Sequence, residues 1–73
     1  MPKTRNVSKM LGERIRAERE KLGWSQEKLA EKAGLARNYI GNVERAEYKI
    51  TVETLAKIAK ALKRSVHHLT RGF

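Results

Sequence analysis

Apolar positions recur along this chain in short runs at helical spacing, each closed by a small or polar residue. Leu11, Ile15 and Leu22 share one stripe over residues 9–21, with Gly23 as a stop signal. Glu18 projects onto that same stripe, so it either meets a basic partner or lies at the edge of the buried face. Leu29, Ala30 and Ala33 repeat behind Ser25, a good N-cap, with Glu27 in the first turn where the helix dipole favours negative charge. That helix ends at Gly34. Leu35, Ile40 and Val43 mark a third, from about Arg37 to Arg45; Ala36 is a poor N-cap for it, and Ala46 stands where a C-cap glycine is expected. After the polar link EYK, Thr51 caps a fourth helix whose stripe is Val52, Leu55, Ala59 and Leu62, flanked by Ile58. A short fifth helix follows Ser65 and carries Val66 and Leu69. No strand pattern or internal repeat competes. The expected class is all-α, a compact bundle of about five short helices. Residues 1–8, MPKTRNVS, are read as a flexible basic N-terminal arm, and 9–73 as the folded domain.

The break at Gly34 carries the functional signal. Two short helices joined by a glycine turn cannot continue each other, so they pack at a steep angle. Ala30 supplies a small side chain where they approach, and Gly34 a left-handed turn without steric penalty. The second of them buries Leu35, Ile40 and Val43 and turns Arg37, Asn38, Asn42 and Arg45 outward. This is the helix-turn-helix arrangement, in which the second helix enters the DNA major groove.

Composition changes the picture in one direction. Seventeen Lys and Arg stand against eight Glu and no Asp, a net charge of +9 on 73 residues. So large a surplus points to a polyanionic partner through attraction and counterion release. Nucleic acid leads. An anionic membrane surface is weaker, because charges interrupt every helix and no long apolar run exists. Nothing resembles a signal peptide, so a cytoplasmic, nucleoid-associated protein is expected. Without cysteine, neither disulfides nor a thiolate metal site can staple so small a core, which leaves tight helix packing or a partner subunit.

The segment SQEKLAEKAGLARNYIGNVER resembles the lambda-repressor-like, Cro/cI-type helix-turn-helix domains of the xenobiotic-response-element (XRE) family. Gln26, Ala30, Gly34, Ile40 and Val43 fall in step with that family, and the likeness runs over residues 9–70. Within it, RNYIGNVER is similar to the small controller proteins of restriction–modification systems. The resemblance implies a sequence-specific regulator of transcription that binds a pseudo-palindromic operator as a homodimer. It implies that Gln26 contacts a phosphate or a neighbouring base, and that Arg37, Asn38 and Asn42 read bases. Arginine grips guanine bidentately and asparagine adenine. Tyr39 and Arg45 match positions near the groove wall; Lys49 is a phosphate candidate, with Lys28 and Lys32 on the outer side of the second helix. Arg19 and Glu44 match a structural salt bridge between the first and third helices. For Gly41 two readings stay open, a close approach of bare backbone to DNA or plain tolerance.

The expected dimer seam is the fifth helix, Val66 and Leu69, with Phe73 and Ile50. Trp24 is expected in the core. Lys57, Lys60, Lys63 and Arg64 are read as a solvated face. His67 and His68 point about 100° apart on a helix and cannot share a metal. No metal, cofactor or small-molecule ligand is expected, and no catalysis: there is no Cys or Asp, no paired-carboxylate signal and no phosphate-cradling glycine loop. RNA-module aromatic signatures are absent as well. The alternative function is an antitoxin-type interaction module that also binds its own operator.

Overall fold

The structure is a computed structural model and describes residues 7–73. Five helices follow one another: α1 Val7–Lys21, α2 Gln26–Ala33, α3 Arg37–Glu44, α4 Val52–Leu62 and α5 Val66–Thr70. Helix α1 begins two residues before the expected start, so Val7 and Ser8 belong to it rather than to an arm. The rest of that expected arm, residues 1–6, lies outside the described residues.

Local chemistry accounts for most helix ends. The Ser25, Thr51 and Ser65 hydroxyls accept bonds from the backbone N–H of Lys28, Thr54 and His68, which opens α2, α4 and α5. Ala36 offers α3 no side-chain cap. At the C-terminal ends one device repeats. After α2 the chain turns left-handed at Gly34 (φ 70°), and the Leu35 N–H reaches back to the Ala30 carbonyl. Helices α3 and α4 end the same way through Ala46 (φ 62°) and Lys63 (φ 59°), although neither is glycine. In each, two consecutive N–H groups satisfy carbonyls of the last turn, Ala46 to Val43 and Glu47 to Asn42 in α3, Lys63 to Lys60 and Arg64 to Ala59 in α4.

The core draws on all five helices: Leu11 and Ile15, Leu29 and Ala30, Ile40 and Val43, Leu55, Ile58, Ala59 and Leu62, and Leu69. Helix α3 packs on both α1 and α2, α4 rests on α2, and α5 closes against α1 and α4. Ile15, Leu29, Ile40, Ile58 and Leu69 are completely enclosed. Each such side chain contributes about 1.5–3 kcal/mol. Trp24 is half-buried against this core.

Three apolar expectations need correction. Leu22 is 47% exposed, because α1 stops at Lys21 and the stripe cannot be extrapolated past the turn. Val52 is 78% exposed; it is the first residue of α4, where the stripe overruns the elements packed beneath it. Leu69 is 0% exposed and fills the core, so it has no surface to give to a dimer seam. Ile50, Val66 and Phe73 remain half-buried at the rim.

Glu18 found its basic partners. The residue is 4% exposed, and its carboxylate meets Arg64 Nε at 3.1 Å, His68 Nε2 at 3.0 Å and Lys21 Nζ at 3.3 Å. The His68 contact above all holds its pKa down at about 2, with Arg64 and Lys21 adding to it against the opposing pull of burial. Arg64 therefore belongs to this cluster and not to a purely solvated face. Nearby, Arg14 donates to the carbonyls of His68 (2.9 Å) and Arg71 (3.3 Å) and stacks its guanidinium on Phe73. These contacts fasten the five-residue α5 and the residues after it to α1.

Candidate nucleic-acid interface

Helix α3 owes its orientation to Gly34, and its exposed face to the burial of Ile40 and Val43 on the opposite side. Arg37, Asn38 and Arg45 are exposed; Tyr39 and Asn42 are half-buried. Gln26, at the first turn of α2, joins Arg37, Asn38, Gly41 and Arg45 around a shallow cleft of about 220 Å³. Lys28 lies exposed in the same turn of α2, and Lys49 exposed in the link after α3. Lys32 is exposed at the far end of α2.

Behind the cleft sits a buried ion pair. Arg19 reaches from the end of α1 to Glu44 at the end of α3, Nε to Oε2 at 2.7 Å and Nη2 to Oε1 at 3.0 Å. Its remaining nitrogen, Nη1, donates to the Trp24 carbonyl at 2.7 Å, so one guanidinium holds α1, the α1–α2 turn and α3 together. The Glu44 carboxylate raises the Arg19 pKa above its ordinary value, more than burial lowers it. Glu44 also accepts from Gln26 Nε2 at 3.0 Å. This bond was not legible in the sequence, since nothing local relates residues on different helices.

Two glycines make the packing possible. A Cβ on Gly12 would lie 2.6 Å from the Val43 carbonyl oxygen and 2.8 Å from that of Glu44, so α1 presses directly on the end of α3 only because residue 12 has no side chain. At Gly41 a Cβ would meet Arg45 Nη1 at 3.1 Å and Gln26 Oε1 at 3.3 Å. The backbone there is not bare. The space a side chain would take is filled by the ends of Arg45 and Gln26.

Arg45 is itself held, donating from Nη2 to Asn42 Oδ1 at 2.7 Å and pairing with Glu47 at 3.3 Å. Tyr39 packs its ring on Tyr48, centroids 5.4 Å apart, which ties the link to α3. In the sequence Tyr48 is marked only by being an aromatic residue in an otherwise polar link. Among the described residues no group of three His, Asp or Glu could hold a metal, and no helix is long and apolar enough to cross a membrane.

Comparison with known proteins adds one family match and three similar proteins. A family model described as helix-turn-helix matches residues 15–69. The control protein C.SmaI of Serratia marcescens is 47% identical over 64 residues, 88% of this chain and 76% of that protein. The restriction–modification controller protein C.AhdI from Aeromonas hydrophila superposes with a TM-score of 0.83 at 37% identity, covering 85% of this chain and 94% of that one. The P22 c2 repressor, solved in complex with a synthetic operator, gives a TM-score of 0.77 at 38% identity over 86% of this chain and 96% of the repressor.

Proposed function

The chain belongs to the helix-turn-helix family, and on that premise we propose that it is a sequence-specific, double-stranded-DNA-binding regulator of transcription acting as a homodimer. The observation that carries the reading is α3: its apolar residues are spent on the core, and Arg37, Asn38 and Arg45 are left exposed on a chain of net charge +9. Laid in the major groove, such a helix brings side chains to base edges while basic residues around it meet phosphates. Arg37, at the opening of the helix, suits guanine, and Asn38 suits adenine. Lys28 and Lys49 face the backbone, with Arg45 and Tyr39 at the groove wall. One helix covers too few bases for useful specificity. Two-fold pairing sets two of them about 34 Å apart, one turn of DNA. The half-buried Ile50, Val66 and Phe73 supply the seam. The target DNA lies in the cytoplasm, on the nucleoid, and the role is recognition rather than catalysis.

Fluorescence anisotropy on matched and scrambled duplexes at several salt concentrations tests this. Arg37→Ala should lose about 1–3 kcal/mol per half-site on the preferred operator and relax selectivity at one position. Lys49→Ala should weaken all duplexes alike and lower the salt slope by about one. If Arg37→Ala weakened every duplex equally, the base-reading role of α3's first residue would be lost.

A further inference from the structure

A groove runs along α4 in two parts that meet at Ala61, and no residue of α3 lines either of them. The more enclosed part is a slot of about 290 Å³ between the α1–α2 turn and the end of α4. Leu22 and Trp24 line it from the turn, Ala61 and Leu62 from the helix. Leu22 is 47% exposed and Trp24 half-buried, so apolar surface is open to a ligand here. Arg19 holds the turn through its bond to the Trp24 carbonyl, and the slot is therefore formed before anything enters it.

The charge around the groove has one sign. Among the residues lining its two parts Glu31 is the one acid, against Lys32, Lys57, Lys60, Lys63 and Arg64. Lys57, Lys60 and Lys63 are exposed, and among the described residues none of them forms an ion pair. Arg64 is set more firmly. Its Nε donates to the buried Glu18 carboxylate at 3.1 Å, which fixes the plane of the guanidinium. Among the described residues no acceptor bonds its Nη1 or Nη2, so the outer edge is ready for a second carboxylate. Lys63 holds φ 59°, a conformation glycine takes more easily, and there it brings a further cation to the rim.

We propose that this groove docks an acidic segment of another protein. One large apolar side chain of that segment fills the slot against Leu22 and Trp24, and its carboxylates meet Arg64, Lys63 and Lys60. An apolar anchor in a preformed pocket supplies the affinity, and the ring of charge supplies steering and choice of partner. Charge alone would suit DNA or an anionic bilayer equally well, but the slot would not. A duplex brings phosphates and no apolar group to fill a recess between helices. A bilayer surface is broad, whereas the apolar opening is narrow and flanked by lysines. Because α3 lines no part of the groove, the partner and the operator can be held together.

The test is selection of short peptides from a random displayed pool by the full-length chain at about 0.15 M salt, where charges more than about 8 Å apart are screened. Enriched peptides should combine several Asp or Glu with one Leu, Ile or Phe. Resynthesised without tryptophan, they should shift the emission of Trp24, the single tryptophan of the chain. Replacing the apolar anchor of the peptide by serine should abolish that shift. Leu22→Ser should weaken binding roughly five- to thirtyfold, as loss of a hot-spot contact does. Lys60→Glu should weaken it mainly by slowing association, an effect that added salt removes. Both variants are first checked by thermal melting. Amide chemical-shift mapping on the wild-type chain gives the same answer without them, with changes expected at Leu22, Trp24 and residues 60–64. Operator affinity should be unchanged with peptide bound. The proposal is overturned if no acidic peptide is enriched, or if the shifts map elsewhere. It is equally overturned if peptide and operator exclude each other, or if phosphatidylglycerol vesicles or scrambled duplex move Trp24 as strongly as the peptides do. Those last outcomes would give the face to DNA or to a bilayer.

Discussion

Ala46→Gly should stabilise this protein, although it deletes a methyl group. Ala46 sits at φ 62°, one residue past the last turn of α3, where its N–H bonds Val43 and that of Glu47 bonds Asn42. Holding an L-residue in the left-handed region costs about 1–2 kcal/mol, which glycine avoids. Against this, glycine frees the unfolded chain by about 0.4–1 kcal/mol. The half-buried methyl forfeits up to about 0.4 kcal/mol of burial. The balance is a gain of about 0.5 kcal/mol. For a domain of this size that corresponds to a rise of about 2–4 °C in Tm. Melting followed by far-UV circular dichroism, with a urea titration to verify an unchanged m-value, measures it. Ala56→Gly is the control: that residue is exposed in the middle of α4, and glycine there should lose about 1 kcal/mol. Lys63→Gly, at φ 59°, should gain independently and add to the Ala46 change. If Ala46→Gly melted at or below wild type while Ala56→Gly fell as expected, the left-handed end of α3 would not exist in solution.

Two further changes probe the scaffold. Gly12→Ala adds a helix-favouring residue within α1, worth about 1 kcal/mol in isolation. Its Cβ would nevertheless collide with backbone carbonyls 2.6 and 2.8 Å away, so the net effect should be a loss of about 1–3 kcal/mol in urea unfolding, opposite in sign to propensity alone. Glu18 should govern the acid limb of stability. Its folded-state pKa of about 2 lies below the ordinary 4.5, so its contribution is complete above pH 4.5 and disappears as the pH falls toward 2. Glu18→Gln should lower stability at neutral pH and flatten its decline between pH 5 and 2; an acid limb as steep as wild type would show that other carboxylates carry it.

How much was legible without coordinates follows the range of the interactions involved. Helix placement, the caps at Ser25, Thr51 and Ser65, the left-handed turn at Gly34 and the polar face of α3 all depend on residues within one or two turns of each other. Period and capping chemistry determine them before any tertiary contact forms, which is why they could be read in order along the chain. The misreadings arose where an element ends or meets another. Leu22 and Val52 obey the period yet lie at helix termini, beyond what the neighbouring helices cover. Leu69 looked like a rim residue of a five-residue helix, but α5 docks on α1 and α4 through that side chain. Glu18 was an anomaly on an apolar stripe until partners 46 and 50 residues away neutralised it. The hydrogen bond from Gln26 to Glu44 likewise requires the carboxylate to be brought beside the amide from the far end of another helix. An amide side chain is a donor and an acceptor in equal measure until a charged neighbour chooses between them. That choice belongs to the packed structure.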